Sequence, residues 1–270
     1  MSVYLGIGNT AHEVSNLYAG IDGHARQVQK MYVSVNGQAR LVYQSQSGTP
    51  SGTPIGNLAV GSTVKISVGG SVTDFIVVHQ GLPDSMYDAS CNGTWLLMKD
   101  IYEKRAWHSS NTNDYANSTI HSYLNSTFLN LFESNIKSAI KQVKIPYRKG
   151  SGSSTTITSG SDGLSTKMFL LSATETSFSF YSMPRGEGAV LDYFNGCAAN
   201  SSDSKRIAKL NGYATYWWLR SPYRSSSGNA LNVNANGNWN NENCPDSYGI
   251  RPCMILSPDT LVDDTGRVIV

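Results

Sequence analysis

Eight of the 22 asparagines in this chain fall within the 15 residues from Asn229 to Asn243. They are Asn229, Asn232, Asn234, Asn236, Asn238, Asn240, Asn241 and Asn243. A carboxamide is no nucleophile, but it offers donors and an acceptor together. A face carrying several of them suits recognition better than catalysis. Asn is poorly suited to strands, so local propensity does not explain the run. Its phase suggests an explanation. Asn232, Asn234, Asn236, Asn238 and Asn240 alternate with Leu231, Val233, Ala235, Gly237 and Trp239. Period 2 sends successive side chains to opposite faces of a strand. The expectation is a strand and loop anchored by buried Leu231, Val233 and Trp239, with the carboxamides turned to solvent. Tyr223, Arg224, Ser225, Ser226, Asp246 and Tyr248 flank the run and complete the candidate ligand-binding set.

No other grouping points to chemistry. His79, His108 and His121 are scattered and read as core or surface polar residues. Cys91, Cys197, Cys244 and Cys253 are widely spaced, without a C-x-x-C pair and away from histidines. They read as reduced, buried thiols rather than zinc ligands or a disulfide framework. Asp263-Asp264 reads as a solvated turn. The expectation is therefore no catalytic residue, no metal site and no cofactor.

The Asn-rich run is bracketed by Trp217-Trp-Leu-Arg-Ser-Pro222 and Gly249-Ile-Arg-Pro252. Loops held on a rigid frame are where binding residues concentrate. Upstream, Val64–Val68 and Phe75–Val78 read as strands around a Gly69-Gly70 turn. Trp95–Met98, Phe169–Leu171, Tyr216–Leu219 and Arg251–Leu256 read as further strands. Ile120, Tyr123, Leu124, Phe128, Leu131, Phe132, Ile136 and Ile140 fall mostly at i, i+3, i+4 spacing, which predicts a helix over 119–141 with Asn117 or Ser118 as its N-cap. Residues 151–163 read as a long polar loop. One helical block among many short strands makes an α+β domain.

The first 43 residues repeat with a period of 14. Tyr4-Leu-Gly-Ile-Gly-Asn-Thr-Ala-His12 aligns with Tyr18-Ala-Gly-Ile-Asp-Gly-His-Ala-Arg26 and with Tyr32-Val-Ser-Val-Asn-Gly-Gln-Ala-Arg40. Asp22-Gly23 and Asn36-Gly37 are strong hairpin-turn signals, because both central residues of a type I′ turn need positive φ. Each unit reads as a small β-hairpin, and an isolated hairpin is marginal in water. The segment is expected to serve attachment or oligomerisation, with a trimer favoured. Residues 44–54 have a Gly/Ser/Thr/Pro linker composition. The expected organisation is 1–43 hairpin repeats, 44–54 linker and 55–270 ligand-binding domain.

Composition narrows the partners. Lys+Arg 21 against Asp+Glu 19 leaves a net charge of +2, and charged residues are 15% of the chain. Without a basic run, a nucleic-acid partner is not expected. No stretch approaches the ~20 apolar residues of a membrane span, so no membrane insertion is expected. The opening Met-Ser-Val-Tyr-Leu-Gly has neither a basic region nor an apolar one, so no signal peptide is expected.

Trp217–Pro222, then Asn232-Val-Asn-Ala-Asn-Gly237, then Gly249–Pro252 together resemble the C-terminal part of variable proteins of diversity-generating retroelements. Ile120-His-Ser-Tyr-Leu-Asn125, Phe128-Leu-Asn130 and Phe169-Leu-Leu-Ser-Ala-Thr-Glu175 resemble the same lineage, and the likeness covers roughly 55–270. The resemblance implies a C-type-lectin-like fold, related to that of formylglycine-generating enzymes. It also implies adenine-specific mutagenesis of a template copy, which turns Asn codons into codons for many other residues without creating a stop. The 14-residue repeat resembles short repeats of phage and prophage structural proteins. Both halves imply a hypervariable receptor-binding protein on a phage tail, located in the virion and made in the bacterial cytoplasm. Its partners would be a host-cell surface protein or glycan and other tail proteins. The alternatives are an oxidoreductase of the formylglycine-generating type and a bacterial surface lectin-like module. The paired reactive cysteines of the former and the Glu-Pro-Asn calcium motif of sugar-binding lectins have no clear counterpart here.

Overall fold

The computed structural model describes residues 4–7, 10–13, 18–21, 24–28, 30–35, 37–44, 52–149, 156–180 and 186–270. The chain divides into two compact units, Met1–Ser51 and Gly52–Val270. In the first, each repeat forms an antiparallel hairpin: Tyr4–Ile7 with Thr10–Glu13, Tyr18–Ile21 with His24–Gln27, and Lys30–Val35 with Gln38–Gln44. The pairs Ile7↔Thr10, Ile21↔His24 and Val35↔Gln38 leave two-residue turns at the expected places. Gly37 takes φ +76, the left-handed conformation that an Asn-Gly turn requires. Asp22-Gly23 and Asn36 themselves lie outside the described residues, as do 45–51 of the expected linker and 151–155 of the polar loop.

In the second unit, the strands that carry the site are β1 (Thr63–Val68), β2 (Ser71–Gly81), β3 (Gly93–Met98), β4 (Lys104–Ala106) and β5 (Tyr147–Arg148). They are followed by β6 (Trp217–Pro222), β7 (Asn229–Val233), β8 (Trp239–Asn243), β9 (Ser247–Gly249) and β10 (Cys253–Leu256). The helices are α1 (Thr119–Tyr123) and α2 (Ser134–Ala139). One sheet has the antiparallel order β10-β3-β2-β1. The other has the order β4-β9-β6-β7-β8, with β6 and β9 parallel. The domain is β-rich α+β.

Successive residues of the central strands enter two different cores. Leu96, Met98, Trp218, Ala230, Met254 and Leu256 belong to one apolar cluster. Trp95, Leu97, Trp217, Leu219, Leu231, Val233, Cys253 and Ile255 belong to the other. Strands covered on both faces read as continuous apolar runs, which is how β3, β6 and β10 read in the sequence. Each buried indole keeps its N–H satisfied: Trp95 donates to the Cys91 carbonyl, Trp107 to Leu219, Trp217 to Arg206 and Trp218 to Arg105.

Three expectations need correction. The helix over 119–141 is interrupted. Ser118 does cap it, accepting from the His121 amide, but α1 passes into a π turn at 124–128 and a 3₁₀ turn at 129–131. Phe132 is then extended, because its backbone bridges Val68 beside the β1–β2 turn. Phe169–Leu171 is not a ladder strand. Only Phe169 bridges Cys253, while the Leu170 amide donates to the Tyr115 hydroxyl and the Leu170 carbonyl accepts from Arg220. The domain begins at Gly52 rather than Ile55, since Thr53–Pro54 pairs with Leu261–Val262. Gln44 is also the last residue of the third hairpin rather than linker.

All four cysteines are free and buried. No helix among the described residues is long and apolar enough to cross a membrane.

Candidate ligand-binding surface

The Asn-rich run is not one strand but a hairpin. β7 and β8 pair antiparallel through Asn229↔Asn243, Leu231↔Asn241, Asn232↔Asn240 and Val233↔Trp239. Residues directly opposite share a face. Leu231, Val233, Trp239 and Asn241 therefore lie on one side, and Ala230, Asn232, Asn240 and Glu242 on the other. The apolar anchors Leu231 and Val233 are buried, as the alternation implies.

Two of its implications fail. Asn232 is completely buried rather than displayed, because β7 lies between β6 and β8, with Trp218 and Asn240 as its neighbours across the strands. Neither side-chain atom of Asn232 has a hydrogen-bond partner. Trp239 is only half-buried, because β8 is the sheet's edge strand; it stacks on Phe180 with ring centroids 4.0 Å apart.

Several carboxamides hold the hairpin together instead of facing a ligand. Asn234 Oδ1 accepts from the amides of Asn236 and Asn238, which forms the turn between β7 and β8. Asn238 Oδ1 accepts from the Trp239 amide. Asn229 Nδ2 donates to Asn241 Oδ1 at 2.9 Å, and its Oδ1 accepts from the Ser226 hydroxyl. Asn240 donates to Glu242, and Asn243 to Asp246 at 3.4 Å. Ser225, Asn236, Asn243 and Ser247 are exposed; Tyr223, Arg224, Ser226, Asn240, Asn241, Asp246 and Tyr248 are half-buried. Tyr248 stacks on Tyr216, with centroids 5.6 Å apart, and meets the edge of Trp218. Burial, reinforced by the neighbouring Glu242 carboxylate, pushes the Tyr248 hydroxyl pKa up, so it stays a neutral donor.

The backbone of the segment is pinned at its start and at its hairpin tip by residues that the sequence reading missed. Asn113 is fully buried, and its Nδ2 donates to the carbonyls of Tyr223, Ser226 and Asn229 at 3.2, 2.8 and 2.8 Å. Its amide donates to Ser227. At the hairpin tip, Gly237 has φ +77, and a Cβ there would overlap the Asp203 carbonyl. The Gly237 carbonyl accepts from the Asp203 amide and from buried Arg206, which also reaches the Thr176, Ala198 and Ser201 carbonyls and stacks on Phe178. Asn113 sits in an aperiodic polar stretch between Trp107 and Tyr115, where the sequence offers no signal that a carboxamide is buried.

Beneath the segment, the Trp-Trp-Leu-Arg-Ser-Pro motif is entirely buried. Arg220 binds Glu175 through two contacts of 2.5 and 2.7 Å and also donates to the carbonyls of Pro146, Leu170 and Glu187. Tyr87 donates to the same carboxylate, and Ser221 to Glu187. Burial by itself would lower the Arg220 pKa, but Glu175 and Glu187 hold it above the usual value. Burial pushes the Glu187 carboxyl up, against the pull of Arg220 and Ser221.

The histidines stand apart. His79 pairs with Asp192 at 2.8 Å, His121 with Thr166, and His108 Nδ1 accepts from the Ser109 amide. Burial pushes the Cys91 and Cys244 thiols up to about 12 and raises Cys197 and Cys253 as well. Among the described residues, no three His, Cys, Asp or Glu side chains form a metal-binding group. Asp263 forms a turn, its carboxylate accepting from the amides of Thr265 and Arg267.

The fold and surface define a β-rich α+β domain that displays a pinned, Asn-rich hairpin on the edge of a five-stranded sheet. Residues 92–258 match the family described as a domain of unknown function, DUF6273, and the chain belongs to that family. The match takes in the whole candidate surface. No curated protein and no solved structure matches the chain.

Proposed function

We propose that this chain is a hypervariable receptor-binding protein of a phage or prophage tail, with its ligand surface in 223–248 on a C-type-lectin-like domain. The observation that carries this reading is the division of labour in the segment. Asn113, Asp203 and Arg206, all outside it, hold its backbone, while side chains such as Asn236 and Ser247 are exposed. Substitution at exposed positions away from structural contacts usually changes stability by no more than ~0.5 kcal/mol. A scaffold of this kind tolerates diversification of its surface. The raised thiol pKa values favour binding over a cysteine-based oxidoreductase, since the thiolate is the reactive form.

Deep sequencing of the gene from a growing host population tests the reading. Substitutions are expected to be confined to codons 223–248, to fall at adenines of a template copy, and to leave Gly237 constant. Substitutions spread evenly along the gene, or none in this segment, would sink it.

The repeat hairpins are proposed to serve attachment and assembly, a trimer being favoured. Met31, Tyr32, Val33 and Val35 of the third hairpin are exposed, and a lone hairpin is marginal in water. Light scattering of the full chain is expected to report an oligomer, and of a chain starting at Gly52 a monomer. A monomeric full chain would remove the assembly role.

A further inference from the structure

One buried cation is left without a use. Arg148 on β5 is 1% exposed, and none of its three guanidinium nitrogens has a hydrogen-bond partner. Only its backbone amide is engaged, donating to Glu187 Oε1 at 3.3 Å. A guanidinium taken out of water needs an anion or a full set of acceptors. Arg206 and Arg220 have theirs; Arg148 does not.

Its surroundings are specific. The Arg220 guanidinium donates to the Pro146 carbonyl, two residues before Arg148, and so ties β5 to β6, which leads directly into Tyr223 and Arg224. Asn113 ties the start of that loop to Asp114. The charges of Glu187, Arg224 and Asp114 all act on Arg148, whose pKa burial lowers. Glu187 is already engaged by Ser221 and by the Arg148 amide. Asp114 Oδ2 accepts from Asn117, but its Oδ1 is buried with no partner. The site therefore has two opposite unmet needs: an anionic acceptor at Arg148 and a donor at Asp114.

We propose that Arg148 and Asp114 form a subsite of the ligand surface for an acidic sugar, its carboxylate on the Arg148 guanidinium and a ring hydroxyl donating to Asp114 Oδ1. The proposal rests on the ligand-binding reading of 223–248. A hydroxylated carboxylate meets both needs in one molecule. An acidic peptide side chain brings the anion without the hydroxyl, and a chain of net charge +2 without a basic run is matched to a single carboxylate rather than a polyanion. The Arg148 guanidinium and Asp114 Oδ1 are both shut off from solvent, so entry requires the surrounding chain to open.

Calorimetry on the full chain tests this, with glucuronate, galacturonate and N-acetylneuraminate as probes beside glucose, acetate and an oligoglutamate peptide. At least one acidic sugar is expected to bind at least about tenfold more tightly than glucose or acetate, the worth of one charge-assisted hydrogen bond. Arg148→Met is expected to abolish that binding while the melting temperature holds or rises, which shows the variant folds. Asp114→Asn is expected to weaken the sugar more than acetate. Three results overturn the proposal: no binding by any acidic sugar, tighter binding by the peptide, or unchanged binding in Arg148→Met. Confined diversification of codons 223–248 alongside any of these leaves the receptor-binding reading standing and removes only the subsite.

Discussion

Arg220 and Arg148 are buried to the same degree and both border Glu187, yet they differ in almost everything else. Arg220 places its guanidinium on a carboxylate and three backbone carbonyls; Arg148 places none of its guanidinium nitrogens on a partner. The same contrast separates two carboxamides. Asn113 satisfies three carbonyls of the candidate loop, while Asn232 sits at zero exposure with both polar atoms unpaired. In water–protein exchange a made hydrogen bond is worth little net, but a buried group left unpaired costs the whole of its desolvation. Burial thus does not identify a structural polar residue; partners do. Arg220 and Asn113 support the frame. Arg148, beside 223–248, and Asn232, within it, are held at a cost that the frame does not repay.

The comparison can be broken most sharply at Arg220. Arg220→Met removes the partner of Glu175, a carboxylate of zero exposure, and is expected to cost about 3–5 kcal/mol in urea unfolding. A loss below about 1 kcal/mol would mean that Tyr87 and the Ser172 amide suffice for Glu175, and Arg220 would lose its structural standing.

Asn113→Ala is expected to cost less, about 1–3 kcal/mol, because the carbonyls of Tyr223, Ser226 and Asn229 lose its carboxamide and keep only the loop's own amides as donors. Hydrogen exchange should locate the effect, with faster exchange in 223–229 and little change in β1–β3. Uniform acceleration across the domain would contradict a local clasp.

The smallest expected effect has the opposite sign. Asn232→Leu keeps the branched shape and removes an unpaired carboxamide, so a gain of about 1 kcal/mol is expected. A loss of similar size would show that the Asn232 carboxamide is satisfied in solution, by water or a ligand group, and would place it with Asn113.

Much of the frame was legible because it depends on short-range pattern. The Gly69-Gly70 turn, the strands around Trp95, Trp217 and Met254, the Ser118 cap and the two-residue turns of the repeats follow from turn chemistry, apolar runs and capping. The parity of the Asn-rich run also survived, because the β7–β8 turn leaves odd and even positions on their own faces.

What the sequence determined by itself is therefore the class of element at each place and which side chains share a face. Whether a face meets solvent was decided by tertiary structure. Asn232 is buried because β6 and β8 flank it, and Trp239 is half-open because nothing pairs beyond β8 among the described strands. The helix over 119–141 breaks because Val68, more than 60 positions earlier, takes up the backbone of Phe132. Asn113, Arg148 and Arg206 acquire their roles from segments that the fold brings to them. Period and propensity act over a few residues, whereas hydrogen-bond partners and burial depend on which distant strands pack together.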